Sequence, residues 1–313
     1  MRPRVAAAAV LLLFAGCSGG NEPSAAPSSV ATSVTPEPAP DYTPDTNLAD
    51  DMAELAHLAE QLAHDLDVVT PRSGEVVGAD LSWPQCPAGL GIPQRRSSGQ
   101  PLPLESSEYV VIGLTNGPAF YPNPCLADQV AWATDHKMLV SAYSVISYPD
   151  ADILQRFGDK GPYDGSTRLG RLQNVGYQQA GFNVTSMREV GLVTPIVWLD
   201  VEPVSDWEWS TDLRANAAVV EGANRGYRDA GYQTGVYSTP LLWSDIVGGL
   251  SFGIPEWRAA GQTSRAEALN RCGDDWSIQG GRALMGQWVE AARDMNVTCP
   301  GVAASLGNWF HQT

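Results

Sequence analysis

Positive charge is what this chain has least of. Its 19 Lys and Arg stand against 35 Asp and Glu, a formal net charge of −16 at pH 7. No basic patch or stripe is visible along it, so nucleic acid is not an expected partner. Long apolar runs are missing too: the run from Val5 to Phe14 falls well short of the roughly 20 residues that span a bilayer. Histidine is rare, with 4 in the chain, and the 5 cysteines include no Cys-x-x-Cys pair and no neighbouring His. Zinc is therefore disfavoured, and neither a metal nor another cofactor is expected.

What is present begins with an export signal. Arg2 and Arg4 precede the Val5 to Phe14 core, and Ala15-Gly16-Cys17 follows. A short basic region, an apolar core of about 7–15 residues and small residues at the cut define a secretory signal. The small-small-Cys ending is similar to the bacterial lipoprotein signal. That similarity implies that Cys17 is lipidated, becomes the mature amino terminus and anchors the chain to the outer face of the cell membrane; an ordinary cleaved signal containing a cysteine is the alternative. Residues 18–45 are rich in Pro, Ser, Ala and Thr and too poor in apolar side chains to fold, so they read as a disordered tether. Across 46–70, Leu48, Met52, Leu55, Leu58, Leu62, Leu66 and Val69 recur at spacings of three and four, with Asn47 as a cap. This amphipathic helix is expected to pack on the domain that follows rather than to pair with a second chain, and the protein is expected to be a monomer.

Residues 73–313 have the length of one large domain. Apolar runs occur at Val76 to Leu81, Tyr109 to Leu114, Met138 to Val145, Ile196 to Val201, Gly235 to Tyr237, Pro255 to Ala260, Ala283 to Val289 and Met295 to Val297. Helical periodicity lies at Asp128 to Asp135, Thr167 to Val190 and Leu213 to Asp229. Strands alternating with helices imply parallel strands under covering helices. Eight strands at this length predict an α/β fold, a TIM-like (β/α) barrel with irregular last strands. With Cys17 taken by lipid, Cys86, Cys125, Cys272 and Cys299 form an even set in an oxidising compartment. Of the three pairings open to them, Cys86 with Cys125 and Cys272 with Cys299 is favoured, because each bond would tie neighbouring loops on one end of the sheet.

The domain is organised around Thr194 to Pro203, T-P-I-V-W-L-D-V-E-P. Ile196 to Leu199 read as a strand buried on both faces, and Asp200 and Glu202 follow at its carboxyl end. Residues two apart on a strand point the same way, roughly 7 Å apart, so the two acids look into one space. Like charges so placed raise one another's pKa, and a proton held near neutral pH is what general-acid cleavage of a glycosidic bond requires. A solvated strand end is the bland alternative. Barrel sites lie at the carboxyl ends of strands, and there stand Asp80, Tyr143, Tyr237, Trp257, Gln287 and Trp288, with Asp294 heading the eighth run and Trp207 in the loop after Glu202. Acids, amides and aromatic rings at one end of a barrel suit a glycan. The aromatics could equally be barrel-mouth core, and Asp80 could simply bond backbone at a strand end.

Together these residues resemble glycoside hydrolase family 25, the lysozyme-type muramidases. Asp80, Ser82 and Gln85 match its opening Asp-x-Ser-x-x-Gln; Ala142-Tyr143 its third-strand pair; Asp200 and Glu202 its central Asp-x-Glu. Gly235 to Ser238, Trp257 with Ala259, Gln287-Trp288, and Asp294 with Asn296 follow in the family's order. The similarity runs from Val76 to Val297. Departures lie at Gly113-Leu-Thr-Asn116, where the family commonly carries Lys-Ala-Thr-Glu, in the inverted Gln287-Trp288 order and in an insertion from Pro87 to Glu105. They bear on substrate preference more than on fold.

The resemblance implies a cell-envelope glycosidase that hydrolyses peptidoglycan strands at the β-1,4 bond after N-acetylmuramic acid. Glu202 would be the general acid and Asp200 would stabilise the charge at the anomeric carbon or orient the substrate's 2-acetamido group. Asp80 and Asp294 would raise the pKa of Glu202, and Tyr143, Tyr237, Trp257, Trp288, Trp207 and Gln287 would bind substrate. Two alternatives remain: a weak or inactive glycan-binding envelope lipoprotein, and a glycosidase for another envelope polysaccharide. A decayed site should have lost one of the four acids, and all four are present.

Overall fold

The computed structural model describes residues 72–313. The expected export signal with Cys17, the expected tether and the expected 46–70 helix lie outside the described residues. The eight apolar runs become β1 (Val77–Leu81), β2 (Tyr109–Gly113), β3 (Leu139–Val145), β4 (Ile196–Asp200), β5 (Gln233–Ser238), β6 (Glu256–Ala259), β7 (Ala283–Glu290) and β8 (Arg293–Thr298). Each pairs with the next, and β8 returns to β1, closing the barrel. A short β9 (His311–Gln312) lies antiparallel on the start of β3.

Strands β1 to β7 are parallel, but β8 runs antiparallel to both its neighbours. The barrel expected from the sequence, with irregular last strands, is present, and the irregularity at β8 is a reversal of direction. Two residues, Ala291 and Ala292, separate β7 from β8, both at positive φ. A connection that short can only make a hairpin, because a parallel return needs a crossover of a dozen residues or more. Alanine is not the usual residue for such a turn, so the sequence carries no hairpin signal there.

The outer layer is α1 (Leu126–Asp135), α2 (Ala151–Phe157), α3 (Arg168–Glu189), α4 (Leu213–Asp229), α5 (Pro240–Val247) and α6 (Arg265–Asn270). Side chains of Asp150, Thr167, Asp212, Thr239 and Ser264 accept hydrogen bonds from free backbone N–H groups at the starts of α2 to α6, the usual remedy for unpaired donors there. Helices α3 and α4 cross closely because they meet through glycines. A Cβ on Gly176 would lie 1.9 Å from the Val219 carbonyl oxygen, and one on Gly222 1.9 Å from that of Gln173.

Strand alternation sorts the barrel into an outer apolar face and an inner stack. Val197 and Leu199 face the helices, whereas Ile196 and Trp198 face inward with Tyr109, Leu139, Trp257 and Met285. The large rings fit because neighbouring strands carry glycine: a Cβ on Gly235 would meet Trp198 at 2.4 Å, and one on Gly78 would meet Tyr109 at 2.5 Å. This aromatic plug fills the lower barrel. The inward acids, Asp80, Asp200 and Asp294, lie above it, at the mouth formed by the carboxyl ends of the parallel strands.

Candidate active site

At the end of β1, Asp80 points inward and is buried. Its Oδ2 accepts hydrogen bonds from Gln287 Nε2 at 2.9 Å and Asn296 Nδ2 at 2.8 Å. Each amide is itself oriented from behind: Tyr237 donates its hydroxyl to Gln287 Oε1 at 2.7 Å, and Trp257 donates Nε1–H to Asn296 Oδ1 at 2.7 Å. With both amide oxygens engaged, only their N–H groups can face Asp80. Asp294 is the cross-strand partner of Asp80 in the β1–β8 ladder and so shares its face. The reversed direction of β8 is what brings Asp294, at the start of its strand, to the mouth.

Asp200 ends β4 and is 3 % exposed. Its Oδ1 has no hydrogen-bond partner among the described residues, a costly state for a buried carboxylate. Glu202 lies two residues on. The Val201 N–H continues the ladder to the Tyr237 carbonyl at 3.1 Å, and Trp209 Nε1 donates to the Glu202 carbonyl at 2.8 Å, which pins the segment over the mouth. The side chain of Glu202 is half-buried.

Four carboxyl groups in one poorly solvated cup cannot all be ionised. Burial, and then the charge of Asp294, push Asp80 well above the usual carboxylate range, against the lowering effect of its two amide donors. Burial, then Glu202 and Asp80, raise Asp200 likewise, and burial raises Asp294. Glu202 is pushed up to about 7 by burial and by Asp294, with Arg95 opposing. The groups titrate together, and Glu202 at the rim is the one placed to give a proton to a molecule entering from solvent.

The expected substrate-binding residues separate into three sets. Tyr143 and Tyr237 are half-buried at the mouth, their rings 5.8 and 4.4 Å from that of Trp257. Trp207 is half-buried on the rim, 6.3 Å from Tyr121. Two expectations are corrected. Trp257 is 1 % exposed and forms the floor beneath the two tyrosines, holding Asn296 rather than offering a face to a sugar. Trp288 points out of the barrel and packs beside Ala268 of α6; adjacent strand residues cannot share a face, and Gln287 takes the inner one. Gln287 is buried and committed at both ends to Tyr237 and Asp80.

Both expected disulfides are present. Cys86–Cys125 joins the loop after β1 to the start of α1 on the mouth side, and Cys272–Cys299 joins the segment after α6 to the end of β8 on the opposite side. Two residues at the site were not singled out. Asn296 belonged only to a motif, although its place two residues from Asp294 puts it on the same strand face. Arg95 lies in the Pro87 to Glu105 insertion, where no periodicity points to a site. The departure at Gly113 has a steric reason: a Cβ there would lie 2.4 Å from Ser82 Cβ and 2.8 Å from Tyr143 Cζ.

Fold and site together define a barrel with a protonatable carboxylate cup at its mouth. No protein-family model matches the chain. Over 66 residues it is 39 % identical to a probable GH family 25 lysozyme of Dictyostelium discoideum, covering 20 % of this chain and 30 % of that protein. The chain thus spans less than a third of the length of that curated relative, a lysozyme of the family its motifs resemble. Among solved structures, the bacterial lysozyme from Streptomyces coelicolor is 13 % identical with a TM-score of 0.47, covering 76 % of this chain and 99 % of that one. A family GH25 lysozyme from Aspergillus fumigatus is 16 % identical with a TM-score of 0.45, over 74 % and 100 %.

Proposed function

We propose that the protein is a cell-envelope glycosidase that hydrolyses peptidoglycan strands at the β-1,4 bond after N-acetylmuramic acid. The observation that carries this is Glu202, held at the rim of a carboxylate cup with its pKa raised to about 7. Near neutral pH it is partly protonated, so it can protonate the glycosidic oxygen and then, as carboxylate, take a proton from the attacking water. Asp200 is the partner acid; its own pKa is raised too, so it acts in the fraction of molecules in which the cup's proton sits on Glu202 and Asp200 is ionised. Its unpaired Oδ1 is free to face positive charge developing at the anomeric carbon, or to accept a hydrogen bond from the substrate's 2-acetamido N–H while that group's carbonyl attacks. Asp80, fixed by Gln287 and Asn296, and Asp294 keep the proton on Glu202. Tyr143, Tyr237 and Trp207 supply the faces on which sugar rings stack. By the signal in the sequence, lipid on Cys17 holds the enzyme at the outer face of a bacterial membrane, and the tether lets it reach the wall.

The test is digestion of purified peptidoglycan by the soluble chain beginning at Ser18, beside Glu202→Gln, with fragments read by mass spectrometry. Wild type should release reducing muramic ends. Glu202→Gln keeps the shape without the proton and should lose about 10²–10⁴ in kcat. The wild-type rate should fall as pH rises through about 7, where Glu202 loses the proton it must donate. Sedimentation of both proteins with the glycan, without cleavage, would favour a glycan-binding module instead.

A further inference from the structure

Arg95 ends a short turn, Pro93–Arg95, inside the insertion. The insertion is held from several sides: by the Cys86–Cys125 bond at its root, by Asn116 and by Ser97. Asn116 Oδ1 accepts from the Ile92 N–H at 2.6 Å and its Nδ2 donates to the Arg95 carbonyl at 3.1 Å; the Ser97 N–H donates to Leu90. The Arg95 side chain then crosses the loops that follow β1, β2 and β4. Its guanidinium lies 6.0 Å from the ring centre of Trp83 and 5.6 Å from that of Trp207, and Nη2 donates to the Ser205 carbonyl at 2.7 Å. A Cβ on Gly117 would touch its Cγ and Nε at 3.3 Å, so that glycine lets the arm lie flat.

In a chain of net charge −16, Arg95 makes no ion pair among the described residues, whereas Arg72, Arg168, Arg171, Arg225, Arg258, Arg265 and Arg271 all do. No protein bond to its Nη1 is found among the described residues. A guanidinium held against indole faces, with donors to spare beside a cleft, is pre-organised for a planar anion. We propose that Arg95 is a specificity-determining residue that recognises a carboxylate substituent on the glycan bound in the cleft. This rests on the glycosidase reading above. Its bond to the Ser205 carbonyl, three residues after Glu202, places that subsite on the loop that carries the acid.

The experiment uses soluble peptidoglycan fragments whose stem carboxylates are either free or amidated, with wild type, Arg95→Lys and Arg95→Gln. Wild type should favour the free acid by about tenfold or more in kcat/KM, the worth of one charge-assisted hydrogen bond, chiefly through KM, and the advantage should shrink as salt is raised. Arg95→Gln should bring the free acid down to the level of the amide, and Arg95→Lys should keep part of the preference. Equal treatment of the two forms by wild type, or an equal loss on both in Arg95→Gln, overturns the proposal and leaves Arg95 as a structural strap. Calorimetric titration of the same fragments reads the preference without turnover. Absence of cleavage with the preference intact would therefore sink the glycosidase reading alone.

Discussion

Glu202 is the residue at which function costs stability. Its pKa is about 7 in the folded chain against an ordinary 4.5. Between those two values the folded state keeps a proton that the unfolded state has released, so stability falls as pH rises across that window. The ceiling on this loss is on the order of 3 kcal/mol. Glu202→Gln removes the titration. It should melt several degrees above wild type at pH 8, at roughly 2–4 °C per kcal/mol for a chain of this length, and the two should melt together below about pH 4. Calorimetry at both pH values checks this; a constant gap would mean that Glu202 does not titrate with a raised pKa. Asp80 and Asp200 are raised partly by the charge of Glu202, so Glu202→Gln also reduces their shifts, which widens the gap at pH 8 in the same direction.

Among the elements, the two disulfides make separable contributions. They join residues 39 and 27 apart, and a chain-entropy estimate gives each about 4 kcal/mol. Cys272–Cys299 lies away from the mouth, so Cys272→Ser/Cys299→Ser should lower Tm while kcat/KM at 25 °C stays near wild type. Cys86–Cys125 roots the insertion that carries Arg95 along one wall of the cleft. Cys86→Ser/Cys125→Ser should lower Tm and kcat/KM together. Thermal melts beside initial rates on peptidoglycan distinguish the two; equal effects on rate would detach the insertion from the site. The β7–β8 hairpin is the other element on which the site depends, since it reverses β8 and sets Asp294 opposite Asp80.

For the molecule as a whole, the proposed lipid anchor makes a prediction independent of catalysis. Cells expressing the full chain and fed a labelled fatty acid should yield labelled protein whose amino terminus is Cys17, and Cys17→Ser should carry no label. Unlabelled wild type would leave an ordinary secreted form. A tethered enzyme and a freely secreted one would share the same barrel and differ in what they reach.

The eight strand positions, the three long helices and the Asp200–Glu202 pair were legible in the chain because each rests on local periodicity or on spacing within one segment; the disulfide pairing was favoured among three by the order of the loops the strands imply. Parity along a single strand would also have set Trp288 outside, given Gln287 inside. What only the tertiary structure decided needed neighbours. Whether Trp257 is floor or platform depends on Tyr143 and Tyr237 lying above it, from two other strands. The direction of β8 turned on a two-alanine hairpin with no sequence signature. The charges that act on Glu202, Asp294 raising its pKa and Arg95 opposing, come from segments more than ninety residues away in the chain, and a field of that origin has no trace in the residues around Glu202 alone.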